Sequence, residues 1–133
     1  MALAAVLLLS FAASSWACGK AGTLPGQIEI VTAEVTLRAT PRPAGLVSGR
    51  HFTLEVELCK GALSAPGMVL ARVDADMPEH RHGMNYRPSV HRLASGRYRV
   101  EGLLFHMPGL WRLRFDIVDA GHPLELTHLS TVQ

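Results

Sequence analysis

Hydrophobic and polar residues alternate with a period of two in several short runs, the pattern of strands with one buried face. The clearest run is 51–58, where Phe52, Leu54, Val56 and Leu58 interleave with His51, Thr53, Glu55 and Glu57. A second carries Trp111, Leu113, Phe115 and Ile117 against Arg112, Arg114 and Asp116. Residues 68–76 repeat the pattern more weakly, with Val69, Ala71, Val73 and Ala75 on one face and Leu70, Arg72, Asp74 and Asp76 on the other. Residues 28–39, rich in β-branched side chains, read as one long strand or two short ones, and 90–93, 97–103 and a strand within 123–131 follow. Thr40 to Gly45 holds two prolines, which remove backbone donors, and is expected to be a loop. Residues 60–67 read as a second loop, Ala94-Ser95-Gly96 as a hairpin connection and Ala120-Gly121 as a turn. About seven short strands predict an all-β fold, and an immunoglobulin-like β-sandwich fits them better than a barrel. Trp111 is expected to be its large core residue.

One stretch breaks the alternation. Residues 2–9 and 11–13 are apolar without a polar face, and small residues follow up to Ala17. Residues 1–17 are expected to be a cleaved signal peptide, although no Lys or Arg precedes the apolar core. The apolar part falls short of the ~20 residues that span a membrane, so the mature chain is expected to have no transmembrane segment. A short N-terminal segment, 18–27, then leads into one domain, 28–133, and the localisation expected is periplasmic or secreted.

Export bears on the cysteines. Cys18 and Cys59 are the two in the chain. A disulfide between them is the favoured reading, stabilising by about 2 to 4 kcal/mol and tying down a new N-terminus. Acylation of Cys18 as a lipoprotein and a free thiol are the alternatives. The formal net charge is only +2, with both signs interleaved, so nucleic acid is not an expected partner. Arg92, Arg97, Arg99, Arg112 and Arg114 fall on strands, whose wet faces usually carry such charges.

The exceptional segment is Asp76-Met77-Pro78-Glu79-His80-Arg81-His82-Gly83-Met84-Asn85-Tyr86-Arg87-Pro88, between two strands. In an extended chain His80, His82 and Met84 project to one side. Imidazole suits copper, zinc and nickel, thioether sulfur selects Cu(I), and the pair points to copper, as Cu(I) or Cu(II). Phe105-His106-Met107-Pro108-Gly109 repeats the pairing. If strands alternate in direction, both segments leave the sandwich at one end, with His51 a distant third contributor. His80, His82, Met84, His106 and Met107 are therefore the candidate metal ligands. Met77 is included, though it continues the inward alternation of Val73 and Ala75 and reads better as packing. His91, His122 and His128 sit in or beside strands and are expected to be ordinary surface residues.

The run from Asp76 to Asn85, then Gly96-Arg97-Tyr98-Arg99-Val100, then Phe105-His106-Met107-Pro108-Gly109-Leu110-Trp111, resembles the YtkA-like family, related to FixH-like domains. The likeness covers roughly residues 51–118. It implies an immunoglobulin-like sandwich in exported or membrane-anchored proteins, with roles around copper or cytochrome oxidase assembly. The leading functional expectation is a copper-binding accessory protein that holds copper or delivers it to an envelope protein. The alternative is a metal-free interaction module using the same loop with Tyr86 and Phe105. No Gly-x-Ser-x-Gly or His-Glu-x-x-His occurs, and the chain is not expected to be an enzyme.

Overall fold

The computed structural model describes residues 18, 19 and 24–133. The expected signal peptide, 1–17, lies outside the described residues, as do 20–23 of the N-terminal segment. Among the described residues there are ten strands and no helix: β1 (Ile28–Val31), β2 (Thr36–Arg42), β3 (His51–Lys60), β4 (Leu63–Ser64), β5 (Met68–Met77), β6 (His82–Gly83), β7 (Ser89–Ala94), β8 (Arg97–Leu104), β9 (Gly109–Asp119) and β10 (His122–Val132). One antiparallel sheet has the order β1-β2-β3-β8-β7, with β4 against β3, and the other the order β10-β9-β5-β6. Without the short β1, β4 and β6, the seven remaining strands follow the immunoglobulin arrangement. In chain order the first, second, fifth and fourth form one sheet, and the third, sixth and seventh the other.

The inner faces meet in one core. Leu37, Leu54, Val56, Leu58 and Val100 come from the first sheet, and Val73, Leu113, Phe115 and Ile117 from the second. Trp111 and Phe105 are fully buried at one end of it. At the other end Tyr98 is buried and satisfies its hydroxyl by donating to the Met68 carbonyl at 2.8 Å. The two unambiguous alternations, 51–58 and 111–117, face as their periodicity predicts.

Three local expectations are corrected. Thr40, Pro41 and Arg42 belong to β2 and not to a loop. The β1 partner ends at the Ile28↔Ala39 pair, so from Thr40 onward β2 is an edge strand, where a residue without a donor is tolerated. In β5 the inward set begins with Met68 and Leu70, whereas Val69 and Ala71 are exposed. A register shift between Leu70 and Arg72 against β9 moves the alternation by one residue, so the pattern holds only from Val73 on. The stretches expected to be plain loops at 60–67 and 77–88 each contain a short strand, β4 and β6.

Cys18 and Cys59 form a disulfide with their Cα atoms 6.1 Å apart. The Cys18 N–H donates to the Ala62 carbonyl, so the segment is fastened by backbone as well as sulfur. With Cys18 in this bond, its sulfur is not free to carry a thioether lipid. No helix among the described residues is long and apolar enough to cross a membrane.

Candidate functional site

The His/Met segment is built on a hairpin. Met77 pairs with His82, leaving residues 78–81 as the loop. The N–H groups of His80 and Arg81 both donate to the Met77 carbonyl, at 3.1 and 3.0 Å. Arg81 closes the turn at φ 55, a left-handed conformation uncommon outside glycine. This pairing decides where His82 points. Cross-strand partners share a face, Met77 is buried in the core, and His82 is therefore turned inward beside it. Met84, two residues on, takes the same side and packs half-buried against the core, its N–H donating to the Ala75 carbonyl at 3.1 Å. His80 does not belong to this alternation, because it lies in the turn and is exposed.

The connection from β8 to β9 arrives at the same end. Phe105 is buried, His106 is exposed and Met107 is half-buried. The Trp111 indole Nε1 donates to the Met107 carbonyl at 3.0 Å, which fixes both the ring and the loop. Phe105 supports the indole from one side, with ring centres 4.8 Å apart. On its other contacts are two imidazoles: His106 at 5.3 Å and 87°, and His82 at 6.1 Å and 68°. Edge-to-face arrangements of this kind are favourable for aromatic rings. His82 in turn lies 5.1 Å from His106 and 5.7 Å from His80, so three imidazoles form a row with His82 in the middle and Trp111 beneath. The Nδ1 atom of His82 is buried without a hydrogen-bond partner.

These spacings have a chemical meaning. A metal–nitrogen bond of about 2.0 Å plus about 1.1 Å from nitrogen to ring centre puts two imidazoles on one tetrahedral ion with centres about 5 Å apart. The His82–His106 and His80–His82 distances of 5.1 and 5.7 Å lie close to that value. The rings are tilted by 36° in both pairs. Among the described residues no three His, Cys, Asp or Glu side chains are arranged to hold a metal. Binding there requires side-chain rotation, which exposed His80 and His106 are free to make.

The other sequence candidates are placed differently. Met77 is core, 1 % exposed, and its Cε fills the space beside Gly109, where an added Cβ would come within 2.6 Å. Met107 contributes its carbonyl to Trp111 and packs against the core with its half-buried side chain. Met84 lines an open cavity with Arg72, Asp74, Tyr86 and Arg87. His51 sets its ring against Tyr86 at 5.4 Å, outside the imidazole row. Asp76 is engaged on the outer face by Arg112, through contacts of 3.1 and 2.7 Å, and this hydrogen-bonded carboxylate raises the Arg112 pKa. Trp111, expected as a core residue, also contacts His82 and His106, for which its position after the second His/Met pair is the one sequence signal. No protein-family model matches the chain, and no curated protein or solved structure matches it.

Proposed function

We propose that the chain is a YtkA-like accessory domain that holds a copper ion outside the cytoplasm and passes it to an envelope protein. The observation that carries this reading is the row His80, His82 and His106 on the Trp111 floor, with the buried Nδ1 of His82 lacking any partner. An unsatisfied buried ring nitrogen costs free energy, and a metal bond is one way to recover it. Imidazole donors, with the half-buried thioethers of Met84 and Met107 on the same two segments, favour copper over harder ions. The Cys18–Cys59 disulfide and the expected leader agree with a periplasmic or secreted location. A carrier needs exchangeable donors near the surface; two of the three imidazoles here are exposed.

Isothermal titration with Cu(II), and with Cu(I) under anaerobic conditions, tests the proposal. One equivalent bound by the wild type, with His82→Ala weakening uptake at least about tenfold, supports it. No uptake of either ion refutes it and favours the metal-free interaction module, for which exposed Tyr86 and the cavity beside it are the natural contact surface.

A further inference from the structure

We infer that the chain pairs with a second copy of itself through the outer edge of β10, joining the two β10-containing sheets into one. The β9–β10 turn sets the hydrogen-bonding phase of the strand. Ala120 and Gly121 have φ values of 47 and 85, and they link the pair Asp119↔His122. In such a two-residue hairpin the flanking pair exchanges both hydrogen bonds. Even-numbered residues of β10 therefore bond to β9, and odd-numbered residues direct their N–H and C=O groups to the free edge. The Gln133 carbonyl follows this phase, pointing away from β9 to accept the Ser48 N–H at 2.8 Å. That bond closes the edge at its far end, and Pro123, without a donor, stands at its beginning. Between them the edge from Pro123 to Thr131 has no backbone partner among the described residues.

Exposed edges are normally blunted by shortness, bulges or positive charge. The first sheet ends in β1, with 4 residues, and in β7, which carries His91 and Arg92 and a register shift between Arg92 and Ala94. The open flank of β5 is interrupted by its shift at Leu70/Arg72 and covered at its end by β6. β10 is long and unbroken: its 11 residues keep one register with β9 and include no Lys or Arg, while Pro123 guards its start and β1 approaches it from the first sheet.

The occupant follows from symmetry. Thr127 is the midpoint of the free stretch, so a second copy laid antiparallel about a two-fold axis there pairs Thr127 with its own copy, Glu125 with Leu129, and Pro123 with Thr131. Outward donors then meet outward acceptors from Glu125 to Leu129, the Pro123–Thr131 pairs at the two ends each make one bond because proline has no N–H, and the lone acidic side chain of the strand, Glu125, faces Leu129 and not another Glu125. Leu129, 55 % exposed, gains cover in this register. Beside the second half of the edge lies an open groove of about 460 Å³, lined by Gln27, Leu46 and Val47 opposite His128, Leu129 and Thr131. The imidazole rows fall at opposite ends of the pair, so this inference does not rest on the copper reading.

Sedimentation equilibrium of the purified protein, from micromolar to millimolar concentration, reads the result. The wild type is expected to reach twice the monomer mass. Thr127→Lys, which sets two ammonium groups opposite each other across the axis, is expected to raise the dissociation constant at least about tenfold. Leu129→Lys, which places the new charge against Glu125 of the partner, is expected to keep or tighten the pair. Far-UV circular dichroism confirms that each variant is folded. A wild type that stays monomeric throughout, a Thr127→Lys variant that pairs normally, or a Leu129→Lys variant as damaged as Thr127→Lys overturns the inference; a monomer would leave the edge to a foreign extended segment.

Discussion

Replacing Trp111 by Phe tests whether the indole is the support on which the site rests. The side chain is fully buried, packed at a tilt against Phe105 and bonded through Nε1 to the Met107 carbonyl. Phe keeps a ring over Phe105 but loses the donor, at a cost of about 1 kcal/mol because the carbonyl is only part-buried. Removal of the second ring forfeits roughly 40 Å² of apolar burial, about 1 kcal/mol at ~25 cal/mol per Å². A residual cavity of roughly 35 Å³ adds about 0.8 kcal/mol at ~24 cal/mol per Å³. The expected loss is therefore about 3 kcal/mol, read as a lower urea midpoint with an unchanged slope in denaturation followed by far-UV circular dichroism. His106→Ala, which removes an exposed ring from the same cluster, is expected to shift stability by less than about 0.5 kcal/mol. A Trp111→Phe loss below about 1 kcal/mol, or one no larger than that of His106→Ala, would refute the reasoning.

Other consequences are equally open to measurement. Cys59→Ser opens a bond spanning a sequence separation of 41 residues. Loop-closure entropy sets the expected loss at about 4 kcal/mol, and equal melting of the wild type with and without reductant would contradict it. Gly96 sits at φ +67, where a Cβ would lie 2.6 Å from the Leu58 carbonyl oxygen and 3.1 Å from the Ala65 nitrogen, both backbone. Gly96→Ala is expected to cost about 3 kcal/mol or more in chemical denaturation, and a near-neutral result would place the turn differently. Burial lowers the His128 pKa below its ordinary 6.5, so the unfolded chain takes up the proton first. Stability contributed by the neutral ring is complete above pH 6.5 and declines as the pH falls from there toward the depressed folded value. His128→Gln should flatten that part of the stability profile; an unchanged slope would assign it elsewhere.

The fold was legible wherever one sheet face is wet and the other buried, because a period of two then carries the side-chain directions. Phe52 to Leu58 and Trp111 to Ile117 are such stretches. It was misread where the ladder slips or a partner ends. The shift at Leu70/Arg72 exchanges the faces of β5, and the early end of β1 admits Pro41 to β2; both depend on neighbours distant in sequence. In the candidate site, strand parity anticipated that the loops holding His82 and His106 share one end, and their rings lie 5.1 Å apart. His80 reached the row by a different route from the extended chain expected, through a turn whose Met77 carbonyl takes two donors. Met77 lies in the core, as its inward alternation with Val73 and Ala75 indicated.

The central claim is that His80, His82 and His106 act together on one copper ion, and imidazole ¹⁵N NMR during Cu(I) titration tests it with the remaining histidines as internal controls. The account predicts that the resonances of those three rings change in step and are complete at one equivalent, while His91, His122 and His128 stay in place. A protein whose imidazole signals do not respond, or respond alike at all seven histidines, would contradict it.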